Sequence, residues 1–243
     1  PGHADFGGEV ERSLSMADGA VLLVDSSEGP MPQTRFVLSK ALDRGLPIIV
    51  VVNKIDRPDA RAPEVLDQIY DLFIDLDADE AQLEFPVLYA IGRQGVAGPR
   101  PDALGPDLTA LFAAILERIP GPSYDPDEPF RMLVSDLGWS DYLGRLAVGK
   151  VVSGSAHRDE ALVRVDEAGM RHPLKVLKLQ IFDGPRPVDV DTVSAGDIVV
   201  LSGSAEAAIG DTICTTEAAG ALPRITVDEP TVSMRFSLNT SPL

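Results

Sequence analysis

Residues 53–56 (Asn-Lys-Ile-Asp) are the most explicit chemistry in this 243-residue chain. They follow an apolar run, residues 46–52, rich in β-branched side chains. Ligands of open α/β sheets bind outside the carboxyl ends of the strands, and the tetrapeptide stands at such an end. A carboxylate at Asp56 can accept hydrogen bonds from N1–H and the 2-amino group of guanine. Adenine has an acceptor and no amino group there, and would leave the charge unpaired. The stem of Lys54 can cover the face of a base, and Asn53 can tie neighbouring loops together. The plainer alternative is a polar turn after a strand.

A second signal is Pro1-Gly2-His3-Ala4-Asp5-Phe6. Gly2 lets a backbone N–H approach a terminal phosphate without interference from a Cβ. His3 beside it could orient or polarise an attacking water; alone, Gly-His is an ordinary surface turn. His157 and His172 are isolated from any cluster at ligand spacing, so they read as surface residues and no metal site is expected. Trp139 and Tyr142 are expected to pack at a strand end, with stacking on RNA as the alternative.

These groups sit in an acidic chain, net charge −17, which argues against a bare nucleic-acid binder and against a DNA partner. Residues 1–125 carry 10 basic and 21 acidic side chains and residues 126–243 carry 11 and 17, so the first half is the more acidic. The run Asp71, Asp75, Asp77, Asp79, Glu80 and Glu84 reads as a solvated helix face and loop. A lone Cys214 suits a reducing cytoplasm. No apolar run approaches the roughly 20 residues that span a bilayer, so no membrane association is expected.

The elements that must position the motifs change character along the chain. Residues 19–25, 46–52 and 85–90 read as strands apolar on both faces. Between them run helical patterns, one from near Pro32 to Arg44-Gly45, another over residues 63–76 and a last over about 108–119. This alternation predicts a parallel sheet covered by helices. Residues 120–126 form a linker rich in Pro and Gly. Beyond it, residues 130–137, 143–152, 161–165, 174–181, 197–201 and 211–215 read as short strands with Gly-containing turns, an all-β unit expected to close into a barrel. The fold class is therefore α/β plus all-β. The units are 1–122, 123–222 and the start of a third domain, 223–243, with one strand over residues 231–238. Three parallel strands are few for such a domain and one strand cannot bury itself. Pro1 also stands where a Met would begin a natural chain, so both ends are expected to be cut.

Residues 1–12 (PGHADFGGEVER), Asp18-Gly19-Ala20 with the strand to Asp25, Pro32-Gln33-Thr34-Arg35 and Asn53 to Asp56 together resemble the translational GTPases, relatives of elongation factors G and Tu. Residues 55–61 (IDRPDAR), 84–90 (EFPVLYA), 227–234 (VDEPTVSM) and 239–242 (NTSP) narrow the resemblance to the BipA/TypA branch. The match runs along essentially the whole chain.

The resemblance implies that His3 is the catalytic histidine of the second switch and that Gly2 supplies the amide sensing the γ-phosphate. It implies that Asn53, Lys54 and Asp56 read guanine. The loop closing over the base carries Ser-Ala in that family; here Ile91-Gly92 stands there, so the Gly92 N–H is the expected donor. Residues 130–222 are implied to be the second-domain barrel that docks on the small ribosomal subunit, with rRNA and ribosomal proteins as partners. The implied activity is hydrolysis of GTP to GDP, with Mg²⁺, in translation, ribosome assembly or stress response. Alternatives are an elongation-factor-G-like or release-factor-type GTPase, or a ribosome-binding β-barrel alone. No G-x-x-x-x-G-K-[ST] loop occurs in residues 1–243, since Gly2, Gly7 and Gly8 are not followed by Lys-Ser or Lys-Thr. The chain alone is therefore expected to be inactive, with the phosphate loop, first switch and Mg²⁺ ligands upstream.

Overall fold

The computed structural model describes residues 7–122, 124–125, 127–203, 206–218 and 220–225. The expected site residues Gly2 and His3, and the expected strand over 231–238, lie outside them.

The first half is a four-stranded sheet in the order β1-β2-β3-β4. β1 (Ala20–Asp25), β2 (Ile48–Asn53) and β3 (Val87–Ile91) run parallel, and β4 (Val96–Gly98) pairs antiparallel with β3. Five helices accompany it, α1 (Gly7–Met16), α2 (Pro32–Asp43), α3 (Ala62–Asp75), the single turn α4 (Glu80–Leu83) and α5 (Thr109–Arg118). Every apolar residue of β2 is buried, and alternation sends them to opposite faces. Val50 and Val52 join Val10, Leu38, Val65, Ile69 and Phe73 in one core with α1, α2 and α3. Ile49 and Val51 join Leu88 and Ala90 in a second, against which Leu111, Ile115 and Ile119 pack.

Two expectations need correction here. The continuous apolar run of β1 predicts cover on both faces, yet Val21 and Leu23 are exposed, Leu23 by 60%. They share a face with Ile49 and Val51 through the register Val21↔Ile49 and Leu23↔Val51, and among the described residues no helix lies over them. The α5 stripe is also only partly used, because Phe112 and Leu116 face outward. The acidic side chains Asp71, Asp75, Asp77, Asp79, Glu80 and Glu84 are all exposed.

The described residues of the second half hold ten strands, β5 (Arg131–Ser140), β6 (Gly144–Ser153), β7 (Ser155–His157), β8 (Ala161–Val165), β9 (Arg171–Lys175), β10 (Lys178–Asp183), β11 (Arg186–Asp189), β12 (Thr192–Ser194), β13 (Ile198–Ser202) and β14 (Thr212–Cys214). Eight form one antiparallel sheet in the order β11-β10-β13-β6-β5-β14-β8-β9, and β12 pairs with β7 apart from it. The closed barrel is therefore corrected: the described ladder is open, with β11 and β9 at its edges. One core nevertheless draws from across the order, including Met132, Leu162, Leu174, Leu179, Leu201 and Ile213. The single strand expected over 174–181 is two strands. β9 pairs with β8 and β10 with β13, and the partner changes at Val176-Leu177, whose amides donate to Glu160 and Ser202 carbonyls.

The halves touch where α1 meets β5. Lys150 pairs with Asp18 and the Ser15 hydroxyl lies 3.3 Å from that of Ser135. Among the described residues no helix is long and apolar enough to cross a membrane.

Candidate functional site

Asn53 ends β2, and its neighbours across the sheet are the ends of β1 and β3 through the registers Asp25↔Asn53 and Asn53↔Ala90. Three parallel strands thus deliver their carboxyl ends to one place. Asn53, Lys54, Asp56, Arg57, Ile91, Gly92 and Arg93 line a cleft of about 370 Å³ there. A larger cleft, about 480 Å³, lies at the other end of the strands beside Leu46, Pro47 and Phe85, away from these side chains.

The loop after β2 is held from several sides. Asn53 Oδ1 accepts a hydrogen bond from the Gly92 N–H at 2.9 Å. A Cβ at Gly92 would stand 3.3 Å from the Asn53 amide, so glycine permits this approach. That N–H, expected to face a base, is instead given to Asn53, and the two loops are tied by it. The Ser26 hydroxyl donates to the Lys54 carbonyl at 2.9 Å, and the Ser26 N–H donates to the Asn53 carbonyl at 2.9 Å. Lys54 takes the left-handed region, φ 61°, uncommon for a residue with a side chain. Arg61 closes the back of the arrangement: its N–H donates to Ser26 O at 2.9 Å and its Nε to Ser27 O at 3.0 Å.

Asp25 is the residue that sequence reasoning missed. Its carboxylate lies 2.7 Å from Lys54 Nζ and 3.5 Å from Arg57 Nη1. It also accepts from the Ser27 N–H and hydroxyl, each at 2.8 Å. Burial alone would raise its pKa, but the hydrogen bonds from Lys54, Ser27 and Glu28 outweigh it and hold the carboxyl well below the usual range. The same contact raises the Lys54 ammonium. The available signal was a carboxylate ending the apolar run 20–25, one strand away from Asn53. Arg93 was also missed. Its Nη2 lies 2.7 Å from Asp56 Oδ2, and only its place after Ile91-Gly92 pointed to the cleft.

The donor set suits a purine base with adjacent N–H groups: a carboxylate at the mouth, a lysine stem, and loops fixed from behind. Among the described residues no group of three or more His, Cys, Asp or Glu converges. In the second half, His157 Nδ1 sits 2.9 Å from the Thr192 hydroxyl and His172 Nε2 2.7 Å from Asp166. Trp139 and Tyr142, expected to pack, are 71% and 97% exposed at the tip of the β5–β6 hairpin, beyond the end of the core.

A family model described as Elongation factor Tu GTP binding domain matches residues 1–122, and one described as Elongation factor G domain 2 matches residues 129–216. Proteins named Large ribosomal subunit assembly factor BipA are 46% identical over 242 residues in Escherichia coli K12 and 48% in Synechocystis. Each alignment covers 100% of this chain and 40% of the relative, so the chain spans about two fifths of their length. The crystal structure of translation elongation factor SelB from Methanococcus maripaludis, in complex with the GTP analogue GppNHp, shares the fold at a TM-score of 0.69 and 20% identity, over 90% of this chain and 45% of that one. The chain belongs to the translational GTPase family of elongation factors Tu and G, on its BipA/TypA branch.

Proposed function

We propose that the protein to which this chain belongs binds GTP, hydrolyses it to GDP in the cytoplasm, and acts on the ribosome in translation, subunit assembly or stress response. The relatives' name, Large ribosomal subunit assembly factor, supports the ribosome as partner. The activity is assigned to the longer protein, since residues 1–243 contain no G-x-x-x-x-G-K-[ST] loop. Within it, residues 1–122 carry part of the nucleotide domain and the β unit follows from 123. Mg²⁺ would assist at the phosphates. Gly2 and His3 enter the proposal through the resemblance, as the γ-phosphate sensor and the residue that orients the attacking water.

The observation that carries the reading is the cleft at the carboxyl end of β2, where Asn53, Lys54 and Asp56 stand together. Asp56 accepts from N1–H and the 2-amino group of guanine, and the Lys54 stem covers the base while its ammonium is held by Asp25. Asn53 fixes the Gly92 loop beside them.

Asp56→Asn tests this in the full-length protein. The new NH₂ opposes the 2-amino group of guanine, whereas xanthine carries a carbonyl oxygen there. A lost charge-assisted bond plus an unpaired donor is worth roughly 3–5 kcal/mol, a factor on the order of 10² to 10³ in affinity. The variant should lose GTP and gain xanthosine triphosphate in competition binding. Unchanged preference for GTP would remove Asp56 from the site, and an equal loss of both nucleotides would make it a turn residue only.

A further inference from the structure

Arg93 occupies the carboxylate assigned to guanine. It lies in the 3₁₀ turn Gly92–Gln94 that follows β3, and its Nη2 is 2.7 Å from Asp56 Oδ2. Its side chain is 76% exposed, that of Asp56 21%, and both line the cleft with Lys54 and Gly92. The other cations there are committed elsewhere: Lys54 to Asp25, and Arg57 to Asp25 and Asp59. Among the described residues Asp56 is the ion-pair partner of Arg93. A base donating N1–H and a 2-amino hydrogen needs both oxygens of Asp56, and one is taken by a cation lining the same cleft.

We propose that Arg93 is an internal competitor for the guanine-reading carboxylate: it pairs with Asp56 in the empty site and must swing out before a guanine base can bind. The inference rests on the assignment of Asp56 to guanine. A solvated pair of this kind is weak and easily screened, so the device tunes affinity and does not block it. Guanine displaces Arg93 because its two aligned donors replace what the carboxylate loses. Arg93 therefore lowers affinity for the correct nucleotide, while the discrimination between bases stays with Asp56.

The test uses the full-length protein, with fluorescently labelled GDP and xanthosine diphosphate as probes. Arg93→Leu should tighten GDP binding about threefold at low salt, the scale of an exposed ion pair. The gain should shrink towards none near 1 M salt, where charges a few ångströms apart are screened. Arg93→Lys keeps the charge without the planar fork and should fall between parent and Leu variant. With Asp56→Asn there is no charge to hold, so Arg93→Leu should leave xanthosine diphosphate affinity unchanged. Weaker or unchanged GDP binding by Arg93→Leu at low salt, or a gain indifferent to salt, would overturn the proposal. If Asp56→Asn alone fails to shift preference to xanthosine diphosphate, the guanine assignment fails and the competitor falls with it. If it does shift preference and Arg93→Leu brings no gain, only the competitor is lost.

Discussion

Asp25 has a side chain only 10% exposed, yet it gathers two cations, two backbone amides and a hydroxyl. Its pKa is depressed, so folding favours the ionised form. The stability this contributes is fully present above the ordinary Asp value of about 4 and is lost as pH falls towards the depressed folded value. Asp25→Asn keeps the shape and removes the charge. It should cost about 1.5 kcal/mol at neutral pH, the low end for charged hydrogen bonds because Lys54 is half-exposed. Urea unfolding at a series of pH values is the measurement: the gap between parent and variant should narrow below about pH 4. A gap that does not change with pH would mean that the carboxylate charge contributes nothing. The site's own residues were unevenly legible. Asn53, Lys54 and Asp56 are contiguous, so their pattern survives in the sequence. Asp25 ends the neighbouring strand β1 and Arg93 follows β3, so the parallel pairing Asp25↔Asn53↔Ala90, rather than sequence adjacency, brings them near the tetrapeptide.

The helices with strong periodicity were the readable elements. α2 begins at Pro32, where the Thr34 hydroxyl accepts from the Met31 N–H at 3.2 Å. It ends in two capping bonds, Leu46 N–H to Ala41 O at 3.1 Å and Gly45 N–H to Leu42 O at 2.9 Å. Gly45 sits at φ 65° with nothing within 4 Å of a would-be Cβ, so Gly45→Ala meets no clash and reports backbone strain alone. It should cost about 1 kcal/mol in thermal unfolding, with nucleotide binding unchanged because the cap lies at the end of the sheet away from Asp56. No loss of stability would mean the cap is not formed. Elements were missed where local signal is thin. α1 opens on two glycines and buries only Val10 and Leu14 among its apolar residues, while β4, β7 and β12 are three residues each. Residues 174–181 read as one strand because the apolar run continues through Val176 and Leu177. The change of partner there follows from long-range pairing, which periodicity does not encode.

On the scale of the whole molecule, the β unit's core lies entirely between Phe130 and Ile213. Its described ties to the first half include one ion pair, Lys150 with Asp18, and a 3.3 Å contact of two hydroxyls. A partly exposed pair is worth at most about 1 kcal/mol, so the β unit should fold without residues 1–122 even though its ladder is open. Where it ends is set by a side chain. Asp211 is 1% exposed; its Oδ2 accepts from Arg164 at 2.9 Å and from the Ala208 N–H at 3.0 Å, while its Oδ1 faces Arg224 at 3.1 Å. Arg224 also donates to Ile209 O at 2.9 Å. A segment cut at 222, the boundary read from composition, strips Oδ1 of that partner and leaves a buried acceptor unpaired. That loss is worth roughly 1–2 kcal/mol, or about 4–16 °C in Tm for a unit of this size. Residues 123–225 should therefore melt cooperatively by circular dichroism, and residues 123–222 should melt lower by that margin. A broad melt of the longer segment would sink independent folding. Equal midpoints would show that Arg224 adds nothing and that the unit ends at 222 after all.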